Sequence, residues 1–523
     1  MLFNSAAFIL LFAPIVLTMY YLFFRWRGQR LALYWLAAAS FFFYGCWEWR
    51  YTMLLGLYLS INAVVLNRMR ASQLPRHRDT WFWLGVVANV GALAYYKYAH
   101  FFLENLDVLL GTNWQWERII LPVGISFFTF QQITLLSDAR LKEQDQPRGI
   151  LDHAVFIAFF PYLISGPIVY HRETDHQFAA NPLPHLWDNL ETGLTLFAIG
   201  LGKKVLVADV MGRWVNPVFD AAAGGYHPHL LESWAAVTAY TFQLYFDFSG
   251  YSDMAMGCAL CFGIRLPINF ASPLKARSII EFWGRWHITL SRLIMNHLHA
   301  SLALWFMRHR SHNAVRRLSP WSMTVTAPLL ITFLLMGVWH GAGWNFLLYG
   351  LIHGVAAVVS HAWKERRKPL TPWLAWLTTF LVLNLSWVPF RATNFAAIVN
   401  MYAGLTGLNG FAVPPWILAQ VQPGLADFLH LVPGVLGHVP ATQYFLLFPP
   451  LLWAVLNLPN SCEMLGAQKP GLASKGYPVT RIPVTCPSPW SRARVSWWAS
   501  AVLLVSIVAV FVQQAVPYVY FQF

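Results

Sequence analysis

A histidine between two long apolar runs is the first candidate for chemistry in this sequence. His340 lies in the segment 338–345, which separates the apolar runs 324–336 and 346–360. A histidine at that depth in apolar sequence is costly unless it is paired or lines a wet cavity, so it is a functional-site hypothesis by default. The flanking Trp339 and Asn345 belong to the same candidate site, and Gly341 and Gly343 would let backbone or ligand approach the ring. The alternative is a histidine that only bonds neighbouring helices together.

The chemistry available to such a histidine is proton transfer. A low dielectric favours neutral imidazole, because the charged form loses its solvation on burial. Neutral imidazole can take a proton from a hydroxyl while that oxygen attacks a thioester carbonyl, and positioned acid–base help of this kind is worth about 10²–10⁴-fold in rate. No nucleophilic Ser or Cys is then required, and the sequence contains no P-loop, dinucleotide-binding glycine motif or G-x-S-x-G elbow.

A second polar cluster occupies residues 281–292. On a helix, Glu281 and Arg285 would share one face, while Trp286 and His287 would lie on another. An interfacial amphipathic helix, with tryptophans at headgroup level and arginines in water, explains Trp286 and Arg285. It does not explain His287, so a site and an interfacial helix both stay open here.

A third cluster contains Asp247, Ser249 and Asp253 at the end of an apolar run. Buried acids in this setting must be hydrogen-bonded or paired with cations. Helix-end capping and scaffold roles are the alternative to contact with a ligand. Lys203 and Lys204 interrupt another apolar run; they are candidates to bind an anionic headgroup or a phosphate, but we expect them to snorkel towards the membrane interface.

The composition decides the class of protein that carries these clusters. The 523-residue chain is 57% hydrophobic and 11% charged, with a mean hydropathy of +0.47. Soluble domains carry roughly 25% charged residues, so a water-soluble globule is excluded. The net charge of +14 comes from basic residues in loops, and the aromatic residues lie inside apolar runs, so no nucleic-acid partner is expected. Cys258 and Cys261 have ligand-like spacing but no second pair, and we predict no metal site.

The elements that must position the clusters are membrane helices. The apolar runs predict an all-α polytopic protein, a single domain over 1–523, with about 11–13 transmembrane crossings. The first run, 5–24, is read as a retained span and not as a cleaved signal. The shorter, glycine-punctuated segments 119–137 and 249–264 predict re-entrant or broken helices that face a cavity.

Basic residues in the loops predict the orientation. Arginines cluster at 25–30 and 68–78, after the first and third apolar runs, whereas the later loop 98–118 is mainly acidic. The positive-inside rule therefore places the N-terminus outside the cell. His340 lies roughly twenty-three residues from basic cytoplasmic ends on either side, enough at 1.5 Å per residue to reach deep into the bilayer or its outer face.

Three motifs in order resemble one known family. They are 245–253 (YFDFSGYSD), 281–291 (EFWGRWHITLS) and 339–342 (WHGA), supported by 121–130, 160–167 and 520–523. Together they resemble the membrane-bound O-acyltransferase (MBOAT) family, in particular its bacterial polysaccharide O-acetylation branch, which includes alginate O-acetylation and teichoic-acid D-alanyl transfer proteins. The resemblance runs along the whole chain and is strongest over 119–354.

The resemblance implies a helical bundle around a central tunnel, with an acyl donor entering from the cytoplasm. His340 matches the family's essential histidine and His287 its second histidine. After Ser291 the chain departs from the branch, because 292–304 lacks the usual acidic residue and glycine pair. The departure indicates a divergent member with its own polymer, for which cellulose or another exopolysaccharide is a candidate.

The sequence thus predicts an O-acyltransferase of the bacterial inner membrane. Its donor would be acetyl-CoA or another acyl thioester, with no bound cofactor, and its acceptor an exported polysaccharide. A polysaccharide synthase or an extracytoplasmic transferase would be its partner. His340 would be the general base or the acyl-transfer centre, and His287 would orient the donor or stabilise developing charge. A transporter or flippase, or a non-catalytic assembly subunit, is the rival interpretation.

Overall fold

Helices form nearly all of the part of the chain that the structure describes. The computed structural model describes residues 1–112, 114, 117, 119–141, 149–310, 318–366, 369–413, 418–428, 431–433, 441–468, 470–472, 492–512 and 516–519. The helices are α1 (Ala13–Arg27), α2 (Gln29–Gly45), α3 (Trp49–Ala71), α4 (Pro75–Leu110), α5 (Ile125–Arg140), α6 (Ile150–Ala158), α7 (Phe160–Leu163), α8 (His171–Phe178), α9 (Leu186–Gly202), α10 (Asp209–Ala223), α11 (Leu230–Cys261), α12 (Ile279–Trp283), α13 (Ile288–Ile294), α14 (Ala300–Arg308), α15 (Ala327–His340), α16 (Trp344–Glu365), α17 (Pro372–Arg391), α18 (Phe395–Leu405), α19 (Pro423–Phe428), α20 (Ala441–Asn457), α21 (Ser461–Met464) and α22 (Arg492–Val512).

Short helical turns of other types join or extend these helices. The π-helical turns are Phe8–Phe12, Lys203–Ala208, Met295–His299 and Ser322–Thr326, and the 3-10 turns are Leu183–His185, Pro273–Lys275 and Gly466–Gln468. Two short strands, β1 (Phe411–Val413) and β2 (Leu431–Pro433), pair in parallel with Phe411 opposite Leu431.

The prediction of an all-α polytopic membrane protein is confirmed. Within the described ranges, six helical segments are long and apolar enough to cross a membrane: Phe8–Arg27, Trp49–Ala71, Ser322–His340, Trp344–Glu365, Pro372–Arg391 and Ala493–Val512. Three other predicted runs lie in helices of only 17 residues, α2, α9 and α20. The 32-residue α11 is long enough, but it carries carboxylates, tyrosines and serines. The larger count of crossings stays a prediction.

The predicted break at 249–264 is wrong, because residues 230–261 form one continuous helix, α11. Its glycines serve packing instead. A Cβ on Gly250 would come within 2.7 Å of the Gly200 carbonyl oxygen, and a Cβ on Gly257 would overlap the Gly193 carbonyl oxygen. Small residues let helix backbones approach closely where side chains otherwise hold them apart. Helix α9 therefore lies directly against α11 at the centre of the bundle.

The hairpin of α15 and α16 is held together in the same way. A Cβ on Gly337 would overlap the Phe346 carbonyl oxygen and lie 3.0 Å from the Gly350 Cα atom. The connection 341–343 is extended, with φ of −164° at Gly341 and −171° at Gly343. Gly341 is needed for space, because the Phe346 ring occupies the position of its absent Cβ. The hairpin fixes where α15 ends, and α15 ends on His340.

Candidate active site

His340 is buried in an aromatic enclosure at the C-terminal end of α15. The residue is only 6% exposed to solvent. Its ring centroid lies 4.7 Å from that of Trp339, 5.6 Å from that of Tyr349 and 5.2 Å from that of Phe390. Tyr349 comes from α16 and Phe390 from α17. Three consecutive helices therefore shape the surroundings of one imidazole.

A lysine on α4 holds the backbone at this point. Lys97 Nζ donates to the carbonyl oxygen of Trp339 and, at 3.1 Å, to that of His340. Tyr98 Oη donates to the Val338 carbonyl oxygen at 3.1 Å. The last carbonyls of a helix lack intrahelical partners, and a positive charge there complements the helix dipole. Lys97 therefore fixes the end of α15 and the backbone of its terminal histidine.

His287 lies in a turn that few residues adopt. It is the N-cap of α13, with φ of 42° and ψ of 52° in the left-handed region. A non-glycine residue in this region is strained and persists only where its surroundings over-determine it. The prediction of one helix over 281–292 is therefore wrong, because α12 ends at Trp283 and α13 begins at Ile288.

Asn269 sets the tautomer of His287. Asn269 Oδ1 accepts hydrogen bonds from the Thr289 backbone N–H at 3.3 Å and from the Thr289 hydroxyl at 2.9 Å, which identifies it as the amide oxygen. His287 Nδ1 lies 3.0 Å from the same oxygen and must therefore donate to it. In the neutral ring this leaves the lone pair on Nε2. The amide is held in turn by Ser252, whose hydroxyl accepts from Asn269 Nδ2 at 3.1 Å.

Phe127 lies against both histidine motifs. The Phe127 ring stacks on His287 with centroids 6.4 Å apart, and its centroid is also 6.4 Å from that of Trp339. The buried Trp286 ring packs against that of Phe270, with centroids 5.0 Å apart. The site is thus a buried cluster of aromatic rings that contains both motif imidazoles.

Comparison with known proteins identifies the family. The sequence model of the membrane-bound O-acyltransferase family (MBOAT) matches residues 81–382, which include both histidines. The chain belongs to this family. It is therefore a multi-pass integral membrane protein and an acyltransferase, as the sequence motifs predicted.

Relatives of this acyltransferase include two O-acetyl-transferring proteins and a D-alanyltransferase. A peptidoglycan O-acetyltransferase of Helicobacter pylori is 38% identical over 462 residues, covering 83% of this chain and 84% of the relative. The "Probable alginate O-acetylase AlgI" of Azotobacter vinelandii is 34% identical over 459 residues, covering 85% of each chain. A teichoic acid D-alanyltransferase of Streptococcus thermophilus is 29% identical over 288 residues, covering 52% of this chain and 66% of the relative.

Two predicted site residues of the acyltransferase hold its framework together away from the imidazoles. Arg285 pairs with Glu281 at 2.8 Å and donates to the Ala271 carbonyl oxygen at 3.1 Å. Asn345 Nδ2 donates to the carbonyl oxygens of Pro389 at 3.1 Å and Ala392 at 3.3 Å, which ties the start of α16 to the end of α17. Both side chains position the elements that carry the histidines.

The carboxylates of the third motif form buried ion pairs. Lys204 Nζ lies 2.7 Å from Asp247 and 2.8 Å from Asp209, and the Lys204 side chain is 1% exposed. The other Asp247 oxygen accepts from the Val519 backbone N–H at 2.9 Å. The expectation that buried acids are paired with cations is confirmed. The capping alternative does not hold for Asp247, because α11 continues well beyond it.

The neighbouring lysine repeats this arrangement nearer the surface. Lys203 Nζ lies 2.6 Å from Asp253 and donates to the Ser461 hydroxyl at 3.2 Å. The prediction that the two lysines snorkel to the interface is wrong, because carboxylates on adjacent helices lie within reach. Ser249 is buried beside Phe248, whose ring centroid is 4.7 Å from that of His287. Of the third motif, this part of α11 comes nearest to the imidazoles.

Sequence reasoning missed Lys97 and Asn269. Lys97 ends an apolar run after two tyrosines, and Asn269 lies in an irregular stretch between α11 and α12. A lysine inside an apolar run was the available signal for the first; the sequence offers none for the second. Within the described ranges, no group of three His, Cys, Asp or Glu residues is arranged to hold a metal ion.

Proposed function

We propose that this acyltransferase moves an acetyl group from acetyl-CoA to a hydroxyl of an exported bacterial polysaccharide, with His340 as general base. The observation that carries the proposal is the buried pair of imidazoles, contributed by separate motifs and enclosed by aromatic rings. Such a space keeps imidazole neutral and excludes water, so a proton can be taken from a hydroxyl while hydrolysis of the thioester is suppressed. The names of two relatives, a peptidoglycan O-acetyltransferase and an alginate O-acetylase, favour acetyl over other acyl groups.

The reaction needs a base, a leaving group and a hydrogen-bond acceptor that orients the substrate hydroxyl. Neutral His340 takes the proton of the polysaccharide hydroxyl while the hydroxyl oxygen attacks the carbonyl carbon of the thioester. The new C–O bond forms, the C–S bond breaks, and the CoA thiolate leaves with the proton that His340 held. His287 offers the lone pair of Nε2, because its Nδ1–H is bonded to Asn269. A hydrogen-bond acceptor at this position orients a hydroxyl of the substrate towards the reacting carbon.

The same proposal includes a direction across the inner membrane. The loop charges place the N-terminus outside the cell, and His340 lies between two basic segments that the same rule places in the cytoplasm. The donor then enters from the cytoplasm, and the acetyl group leaves towards the polymer outside. A polysaccharide synthase or an extracytoplasmic transferase is the partner that presents the acceptor polymer, and no cofactor is bound between turnovers.

Labelled acetyl-CoA tests the proposal directly. The purified protein in lipid nanodiscs would be given acetyl-labelled CoA and a polysaccharide acceptor, and free CoA and labelled polymer would be measured. We expect His340→Ala to lower turnover by about 10²–10⁴-fold, because positioned proton transfer contributes about that much. His185→Ala, at an exposed histidine, is the matched control and should keep full turnover.

Several outcomes would contradict the assignment. Undiminished turnover in His340→Ala would remove the general base and would fit a non-catalytic assembly subunit. A transporter would move its solute intact and release no CoA. Sealed vesicles of known orientation test the direction: acetyl-CoA supplied only to the cytoplasmic face should support transfer, and labelling from the opposite face alone would refute the proposed path.

A further inference from the structure

A third buried histidine lies beside the two motif histidines. His353 is on α16, one helical turn after Tyr349, and is 0% exposed. The Tyr349 ring contacts both His353, at 4.6 Å between centroids, and His340, at 5.6 Å. Through the Tyr349 ring, His353 therefore belongs to the same aromatic enclosure as His340.

The tautomer of His353 is opposite to that of His287. Trp283 Nε1 lies 3.3 Å from His353 Nδ1. An indole N–H can only donate, so Nδ1 must accept and the proton of the neutral ring is on Nε2. His287 presents an acceptor nitrogen, whereas His353 presents a donor.

This donor and a neighbouring one have no acceptor in the described part of the protein. His353 Nε2 and Trp387 Nε1 are both buried without a hydrogen-bond partner among the described residues. Their rings lie 6.0 Å apart between centroids. Buried N–H groups are nearly always paired, and an exception calls for a catalytic role or a bound group. Two such donors in contacting rings indicate an oxygen acceptor that the described residues do not supply.

The surroundings restrict what that oxygen belongs to. The rings that contact His353 are the uncharged side chains of Phe282, Trp283, Phe333, Tyr349 and Trp387. A permanently ionised phosphate or carboxylate would be costly in this environment without a cation beside it. A carbonyl oxygen is neutral when bound and gains negative charge only during reaction, so it suits neutral donors in a low dielectric.

We propose that His353 Nε2–H, assisted by Trp387 Nε1–H, donates to the carbonyl oxygen of the acyl thioester and stabilises the negative charge that develops there. The inference rests on the proposed function. As the acceptor oxygen bonds to the thioester carbon, the carbonyl electron pair moves to the oxygen held by His353. When the pair returns, the C–S bond breaks and the CoA thiolate takes the proton that His340 removed, so the step is balanced without an oxidant or reductant.

Steady-state kinetics give the first test. His353→Phe keeps an aromatic ring and removes the donor, and we expect kcat to fall about 10²–10³-fold with little change in KM for acetyl-CoA. His353→Gln retains an N–H near the position of Nε2 and should recover part of kcat. Unchanged kcat in His353→Phe, or an equal loss in both variants, would overturn the donor role. If His353→Phe fails to fold, the same kinetic measurement on Trp387→Phe, which removes the assisting donor, tests the same site.

Binding of two analogues separates contact with the carbonyl from a structural role. S-acetonyl-CoA carries a ketone oxygen, whereas S-ethyl-CoA has none. We expect wild type to bind the ketone about tenfold more tightly, the equivalent of one good hydrogen bond. In His353→Phe that ratio should fall towards one while the affinity for S-ethyl-CoA stays the same. A ratio that survives the substitution would overturn the inference.

Binding of the two analogues also distinguishes a failure of the carbonyl contact from a failure of the proposed function. Wild-type protein that binds neither analogue would overturn acetyl-CoA as donor, and with it the carbonyl contact. Wild-type protein that binds both analogues equally, yet releases CoA from acetyl-CoA, would overturn the carbonyl contact alone.

Discussion

Replacing Asn269 with leucine should uncouple His287 from its fixed tautomer. Leucine has a similar volume but no acceptor, so the Nδ1–H of His287 would lose its partner. The two ring nitrogens would then compete for the proton, and Nε2 would no longer offer its lone pair consistently. We expect a fall in kcat, because His287 can accept a hydrogen bond from the substrate hydroxyl through Nε2 in only one of its two neutral tautomers.

The hydrogen bonds of Asn269 set the size of two effects. Its amide makes four: three accepted by Oδ1 and one donated to Ser252. At about 0.5–1.5 kcal/mol each, their loss should lower the free energy of unfolding by roughly 2–6 kcal/mol. The bond to His287 alone, at about 1.4 kcal/mol, corresponds to a factor of ten in tautomer population. Loss of ring orientation adds to this, so kcat should fall about 10–100-fold.

Asn89→Leu is the matched control for this experiment. Asn89 is buried between α3 and α4, exchanges hydrogen bonds with Asn62 at 2.8 and 3.2 Å and donates to the Gly85 carbonyl oxygen at 2.8 Å. Both variants should lower the thermal midpoint, measured in detergent by the loss of monodisperse protein on heating. Release of CoA thiol would give kcat. If the two variants lose stability and kcat to the same extent, Asn269 has no special role and the tautomer argument is refuted.

Two further substitutions test the framework. Lys204→Met should lower the free energy of unfolding by about 3–5 kcal/mol, because it leaves two buried carboxylates without their cation. Lys203→Met, at a single and more exposed ion pair, should lower it less. Equal thermal midpoints of the two variants would contradict this. Gly337→Ala should lower both the thermal midpoint and kcat by separating α15 from α16, whereas Gly56→Ala, where a Cβ meets nothing within 4 Å, should leave both unchanged. Full CoA release by Gly337→Ala would show that the hairpin spacing does not position His340.

The sequence predicted what depends on local composition and on motif residues. Apolar runs indicated membrane helices, and a histidine inside such runs indicated a site, because burial of a polar ring is costly wherever it occurs. The motifs around His287 and His340 are also brought together in space, as expected. The proton-handling role of either histidine stays a prediction.

The rest depends on contacts between distant parts of the chain. Glycines near 250 are as compatible with a broken helix as with a close crossing, and only the position of α9 decides between them. The same packing places Asp247 and Asp209 beside Lys204, so the lysine has no reason to reach the interface. Asn269 lies in an irregular segment, where neither helical nor strand periodicity marks its side chain. Its role is visible only once the segment is folded against α13.

The buried Lys204 cluster is completed by residues near the other end of the sequence. Lys204 Nζ donates to the Pro517 carbonyl oxygen at 3.2 Å, the Val519 N–H donates to Asp247, and Asn4 Nδ2 donates to the Val516 carbonyl oxygen at 3.1 Å. A ribosome makes residue 4 first and residue 519 some 500 residues later. During synthesis Lys204 and its two carboxylates have therefore already been made while the Val519 N–H, one of their hydrogen-bond donors, does not yet exist. Closure of this cluster can occur only after α22 has been made, so it marks the moment at which the first and last described segments of the newly made protein are joined.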